Sequence, residues 1–237
     1  PARRTLRRRL DALVLSAPVP RLRYRQVTNN WAEEWKRFFH VLRAGRIVVR
    51  PSWEAYEAQP GDLVIDLDPG AAFGTGQHET TRLCLAALDA RVTSGMHVLD
   101  IGTGSGILAI AAARLGAVEV WAVDIDAEAV AVARANVALN GVAAEVHCAT
   151  GSIGGDWPWP PSPRGTADLV VANISSSVLT RLLPDCVAAL RPGGIFIGSG
   201  YIEPAADTVH EAVRAAGLRI LDVTAEAEWR CVAAVRD

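Results

Sequence analysis

The chain has 237 residues, 50% of them hydrophobic and 21% charged, a balance that excludes an intrinsically disordered chain and leaves room for one large core with a small appendage. No stretch approaches the roughly 18 uninterrupted apolar residues of a membrane span, and Pro1-Ala-Arg-Arg4 lacks the apolar run of a secretory signal, so a cytoplasmic protein with no membrane partner is expected. The net charge of −2 is unevenly spread: residues 1–50 hold 13 Lys+Arg against 3 Asp+Glu, and the remainder 11 against 23, which points to a basic front element with its own partner or to a solvated arginine-rich helix face.

Leu6, Leu10 and Leu13 recur at helical spacing among arginines, so residues 3–15 are expected to form an amphipathic helix that ends by Pro18 and Pro20. Leu22–Val27 alternates like a short strand, and Trp31–Phe39 reads as a helix with its aromatics on one face. A first residue of proline rather than methionine points to a processed or truncated chain start. Short strands are expected over Ile47–Trp53 and Leu63–Leu67, separated by the turn pair Pro60-Gly61. The loop Asp68-Pro-Gly-Ala-Ala-Phe-Gly-Thr-Gly-Gln-His-Glu-Thr-Thr81 then runs into a helix ending near Asp89.

From there strands and helices alternate. Strands are expected at His97–Ile101, Val118–Asp124, Glu145–Ala149, Asp168–Asn173 and Ile195–Ser199, with helices at Ile107–Leu115, Ala127–Asn140, Ser176–Leu190 and Ala205–Ala216. A closing pair spans Leu218–Val223 and Cys231–Val235. Strands separated by helices of 10–15 residues imply βαβ units and a parallel sheet. Asn140-Gly141 is a helix stop and Arg191-Pro-Gly-Gly194 a turn. Between Gly151 and Thr166, Trp157-Pro-Trp-Pro-Pro-Ser-Pro163 forbids regular structure and is expected to be a surface insertion whose tryptophans fold back on the body. Cys84, Cys148, Cys186 and Cys231 lack CxxC spacing and paired histidines. Buried free thiols are therefore expected, with no metal site.

Three constellations carry chemistry. Asp100-Ile-Gly-Thr-Gly-Ser-Gly106 stands where a buried strand turns into a helix, so its glycines let a ligand approach the backbone beside free helix-start N–H groups. Asp124 ends the next strand, where a carboxylate can accept both hydroxyls of a ribose. The pair indicates an adenosine-containing cofactor. The spacing GxGxG through Gly102, Gly104 and Gly106 differs from the GxGxxG of dinucleotide enzymes, and the glycine motif begins some hundred residues into the chain, which also argues against a dehydrogenase. Asn173 ends the strand across the expected switch point, where its amide can face an incoming amine or simply cap the next helix.

The glycine motif resembles motif I of the class I methyltransferases. With Trp31-Ala-Glu-Glu-Trp-Lys36, the loop 68–81, Asp124-Ile-Asp126 and Ala172-Asn-Ile174, the chain from Trp31 onward resembles the PrmA family of ribosomal protein L11 methyltransferases. Phe73, Gly74, Gly76, His78 and Thr81 agree with the family loop, whereas Gln77 and Glu79 depart from it. The resemblance implies an α/β, Rossmann-like fold: a doubly wound, seven-stranded, mostly parallel sheet with a small partial N-terminal α+β element. It implies a remnant of a substrate-recognition domain over 1–30, a linker helix and strand over 31–60 and a methyltransferase domain over 61–237. The implied cofactor is S-adenosyl-L-methionine, held by Phe73, His78, Thr81, Gly102, Gly104, Asp124 and Asn173, with Asn173 also orienting the amine. His78 is read as a positioning group or a plain loop histidine rather than a general base. The implied reaction is methylation of amino groups, lysine side chains or the N-terminus, of a large-subunit ribosomal protein, with nucleic acid met only indirectly through it. Methylation of another protein's lysine or of a small amine, or cofactor binding without transfer, stay open beside it.

Overall fold

The computed structural model describes residues 39–68 and 78–237. The helix expected over 3–15, the strand over 22–27, the helix over 31–39 apart from Phe39, and Phe73, Gly74 and Gly76 lie outside them. Phe39–Asp237 clusters as one compact unit.

This unit begins with a small sheet of three strands, β1 (Leu42–Ala44), β2 (Ile47–Pro51) and β3 (Leu63–Leu67), in that order. β1 and β2 are antiparallel around Gly45, whose φ of 63° suits a residue without a Cβ. The hairpin tip docks on the end of the first helix, because Arg46 donates to Asp89 through its backbone N–H at 3.0 Å and its Nε at 2.8 Å. β2 and β3 are parallel. The strand expected in the linker therefore pairs with one expected inside the methyltransferase domain.

The outward edge of β3 is closed by two side-chain amides rather than by another strand. Asn140 accepts from the Asp66 N–H at 2.9 Å and donates to the Asp66 carbonyl at 2.7 Å. Asn136 accepts from the Asp68 N–H at 3.0 Å. Four residues along a helix rise about 6 Å and two along a strand about 6.6 Å, so asparagines spaced i, i+4 match strand residues spaced i, i+2.

The remaining elements are α1 (Glu79–Asp89), β4 (His97–Ile101), α2 (Ile107–Arg114), β5 (Glu119–Asp124), α3 (Ala127–Leu139), β6 (Val146–Thr150), β7 (Ala167–Asn173), α4 (Ser176–Ala189), β8 (Leu190–Ile202), a 3₁₀ turn, α5 (Ala206–Ala215), β9 (Leu218–Glu226) and β10 (Trp229–Arg236). Seven strands form the main sheet in the order β6-β5-β4-β7-β8-β10-β9. All its strands run parallel except β10, which is antiparallel to both neighbours. The fold is the doubly wound, seven-stranded α/β architecture expected.

Strand alternation sorts the core. Leu99, Ile101, Val123, Val170 and Ala172 face a cluster completed by Leu179 and Leu183 of α4 and Val209 and Val213 of α5. Their neighbours in sequence face the layer of α1, α2 and α3; Asp100, for example, reaches the Ala109 N–H of α2. The β6 to β7 crossover contains no helix. Instead Trp157 and Trp159 pack onto the α4 side of the core, with Trp159 edge-on to Trp121 of β5 at 4.7 Å and to Trp157 at 5.3 Å. Such aromatic pairs contribute about 0.5–1.5 kcal/mol each beyond their burial, so this proline-rich segment covers the sheet as a helix would. The expected turn at Arg191–Gly194 is a bulge inside β8: Ala167 pairs with Leu190 and Leu169 with Ile195, so the intervening residues loop out. All four cysteines are buried free thiols.

Candidate active site

The switch point of the main sheet lies between β4, which leads toward β5 and β6, and β7, which leads toward β8. Ile101 is registered with Val123 on one side and Ala172 on the other. One residue on, Gly102, Asp124 and Asn173 therefore form a row across the carboxyl ends of three adjacent strands. Ligands of open α/β sheets bind at such a place. A cavity of about 540 Å³ opens over this row, within the size range of small-molecule sites.

The glycine turn is built to keep side chains out of that cavity. Gly102 (φ 76°), Gly104 (φ 54°) and Gly106 (φ 84°) all occupy left-handed conformations that other residues adopt at a cost. A Cβ on Gly102 would meet Ile174 Cγ2 at 2.4 Å, and one on Gly106 would meet the Ala133 backbone at 3.2 Å. The Gly102 and Thr103 N–H groups donate to the Val123 carbonyl at 2.9 and 3.0 Å. The Gly104 N–H donates to Asp124 Oδ2 at 2.9 Å, while Asp124 Oδ1 accepts from the Asp126 N–H at 3.0 Å. Each carboxylate oxygen has a further lone pair directed elsewhere, so Asp124 can anchor the turn and still accept hydroxyl donors. Ile125 beside it lines the cavity although 82% exposed, so an apolar surface adjoins the carboxylate.

Beneath the turn Asp100 is wholly buried. Its Oδ2 accepts from the Thr103 hydroxyl at 2.7 Å and the Ala109 N–H at 3.1 Å, so it caps α2 from within the strand. Its Oδ1 has no hydrogen-bond partner. Burial, reinforced by the negative charge of Asp124, pushes its carboxyl up to about 7 against the pull of those two hydrogen bonds.

Asn173 stands on the opposite side of Gly102 from Asp124. Its Nδ2 donates to the Thr81 hydroxyl oxygen at 3.4 Å, which turns the carbonyl end of the amide away from α1. The α4 cap is Ser175, not Asn173. His78 caps α1, with Nδ1 accepting from the Thr80 N–H at 3.3 Å. Its ring meets Trp229 edge-on at 4.6 Å.

The structure thus gathers His78, Gly102, Gly104, Asp124 and Asn173 around one cavity. Thr81 is 1% exposed and reaches the site through Asn173, whereas its neighbour Thr80 lines the cavity. Ser152, Ile174, Val178, Leu182, Gly200 and Trp229 also line it and were not singled out from the sequence. Gly200 alone carried a readable signal, a glycine just after the end of an expected strand. Trp229 sits beyond a turn whose pairing no local pattern predicts. Among the described residues there is no group of three or more His, Cys, Asp or Glu placed to hold a metal ion, and no helix long and apolar enough to cross a membrane.

The chain as a whole is similar to known proteins. The family model described as "Ribosomal protein L11 methyltransferase (PrmA)" matches residues 4–237. A ribosomal protein L11 methyltransferase of Pelotomaculum thermopropionicum is 46% identical over 242 residues, covering 99% of this chain and 77% of the relative. One of Chloroflexus aurantiacus is 48% identical over 219 residues, covering 84% and 67%. The crystal structure of a ribosomal protein L11 methylase from Lactobacillus delbrueckii subsp. bulgaricus superposes with a TM-score of 0.75 at 34% identity, covering 84% of this chain and all of that one.

Proposed function

Because the chain belongs to the ribosomal protein L11 methyltransferase (PrmA) family, whose methyl donor is S-adenosyl-L-methionine, we propose that it methylates amino groups, lysine side chains or the N-terminus, of ribosomal protein L11. The observation that carries the reading is the row Asp124, Gly102, Asn173 across three strand ends, under a cavity whose two sides differ in chemistry.

The residues present fit the cofactor. Asp124 would accept the ribose hydroxyls, Ile125 would lie under the base, and the backbone of Gly102 and Gly104 would pass close to the methionine portion, where any Cβ on Gly102 would clash. Thr81 would act through Asn173 and His78 would contribute from the start of α1, and Phe73, outside the described residues, is proposed as a contact from the family resemblance alone. When bound, the cofactor supplies an electrophilic methyl group on a sulfonium.

What the chain itself does is positional. Asn173, held by Thr81, presents its carbonyl oxygen to one N–H of a neutral amine and so aims the nitrogen lone pair. A lysine has a reference pKa of about 10.4, and entry into the apolar space beside Ile174, Val178 and Leu182 lowers it toward the neutral form. Water takes the released proton, and alignment with exclusion of bulk water contributes several kcal/mol to the rate. His78 Nδ1 is engaged at the helix cap, consistent with a positioning role.

Charge supports a basic protein substrate. Glu79, Glu203, Glu226 and Glu228 lie on α1, the 3₁₀ turn and the β9–β10 hairpin around Trp229, against Arg82 and Arg230, which pair with three of them. The basic residues of segment 1–30, read as the remnant of a recognition domain ahead of a linker at 31–60, would meet a different part of the target, and the work would take place in the cytoplasm.

Incubation with radiolabelled cofactor and purified ribosomal protein L11 tests the reading. Alkali-stable label is expected in that protein, and none is expected when its lysine side chains and N-terminus are blocked beforehand. No label in it, with cofactor bound, would overturn the substrate; no cofactor binding at all would overturn the site.

A further inference from the structure

The asparagine clasp on β3 has a second contact that reaches the glycine turn. Asn136 is 1% exposed and uses both ends of its amide: Oδ1 accepts from the Asp68 N–H at 3.0 Å and Nδ2 donates to the Ser105 carbonyl at 2.8 Å. Ser105 lies between Gly104 and Gly106, the two left-handed residues that give the turn its shape. Asn140, one helical turn on, makes the comparable β3 contact at Asp66, but its remaining contact is to the Asn136 carbonyl within its own helix.

The two asparagines therefore share one structural task and differ in another. Both close the β3 edge. Of the two, it is Asn136 that also bonds to the turn, and it does so beside Ala133, whose backbone is within 3.2 Å of where a Gly106 Cβ would be. A carbonyl flanked on both sides by positive-φ glycines has few intrinsic restraints, since glycine samples both halves of φ space. A buried amide donor on that carbonyl restrains it, and its removal costs a buried hydrogen bond.

From this geometry we infer that Asn136 is a positioning residue for cofactor binding: it holds the Ser105 carbonyl, and with it the Gly102–Gly106 backbone, in the binding shape, and links that shape to the small sheet. The inference rests on the cavity's being a cofactor site, and it concerns Asn136 alone of the pair.

Asn136→Ala and Asn140→Ala, made separately, test it. Both are expected to lower the melting temperature by similar amounts, since both open the β3 edge. Only Asn136→Ala is expected to weaken S-adenosylmethionine binding, about five- to tenfold by calorimetry, from the loss of one buried hydrogen bond. It is also expected to speed hydrogen exchange at the Gly104 and Gly106 amides of the cofactor-free protein, with little change in kcat at saturating cofactor. Should Asn136→Ala not fold, Asn136→Ser, which admits a bridging water, carries the same comparison. Equal affinities and equal turn exchange in the two variants would overturn the inference. If the unaltered protein failed to bind the cofactor, the functional reading would fall while the exchange comparison still decided whether Asn136 holds the turn.

Discussion

A Cβ on Gly200 would lie 2.1 Å from the Ile174 carbonyl oxygen and 2.9 Å from the Ile174 nitrogen. Both residues line the cavity, and they sit one step beyond the registered pair Asn173 and Ser199. Gly200 (φ 95°) thus allows the end of β8 to close on the end of β7, and the placement of Asn173 depends on that approach.

Gly200→Ala is accordingly expected to push β7 and β8 apart where Asn173 stands. Overpacking of this kind costs about 1–3 kcal/mol, and the left-handed backbone adds to it. Thermal unfolding should show the loss. Methylation should fall at least tenfold in kcat, more than the stability change explains, because a small displacement of an aligning group is costly.

Asn173 and Thr81 form a directed pair, so their substitutions should differ in degree. Asn173→Ala removes a group that both lines the cofactor cavity and aims the amine, and is expected to weaken cofactor binding and, at saturating cofactor, still lower kcat about a hundredfold. Thr81→Val leaves the amide in place but frees its orientation, and a kcat reduction of about three- to tenfold is expected. Single-turnover kinetics with saturating cofactor distinguish the two. Full activity of Asn173→Ala would remove Asn173 from the mechanism.

Asp124 does two things with one carboxylate: it holds the Gly104 N–H and the Asp126 N–H and faces the cavity. Asp124→Ala should therefore weaken the cofactor by at least about a hundredfold, more than loss of a single neutral hydrogen bond would. Asp124→Asn, which keeps one acceptor, should fall between. Calorimetric titration of the three proteins checks the order.

The carboxyl of Asp100, raised by burial to about 7, makes stability depend on pH in a definite direction. A folded pKa above the unfolded value means that the protonated form is favoured in the fold. Its contribution is full below pH about 4 and is lost as pH rises through 7. Asp100→Asn removes this dependence. Urea unfolding of both proteins from pH 4.5 to 6.5 should show wild type losing about 1.4 kcal/mol per pH unit relative to the variant. The depressed pKa of His210 acts the other way in this range, but it is common to both and cancels. A constant difference would show that Asp100 is ionised throughout.

Much of this was legible beforehand. The strand His97–Ile101 and the strands around Val120 and Val170 are apolar runs buried on both faces, and such runs flanked by glycine and helix-start signals have few alternative readings. What escaped is set by tertiary pairing. Leu42–Ala44 is three residues long and becomes a strand only because β2 returns beside it. The Trp157–Pro163 segment reads as a break in pattern, yet its position over β5 follows from the order of β6 and β7 in the sheet. Gly102, Asp124 and Asn173 could be named one at a time from their strand ends. That they form a row, with Gly200 and Trp229 as its neighbours, depends on register between strands far apart in the chain.

Closing the β3 edge with amide side chains also bears on how the protein behaves among other proteins. An open strand edge is a template on which foreign strands can assemble. Here the outward N–H groups of Asp66 and Asp68 are already spoken for by Asn140 and Asn136, so the small sheet offers little purchase for growth at that side, and substitution of both asparagines should be felt first as poor solubility at high protein concentration.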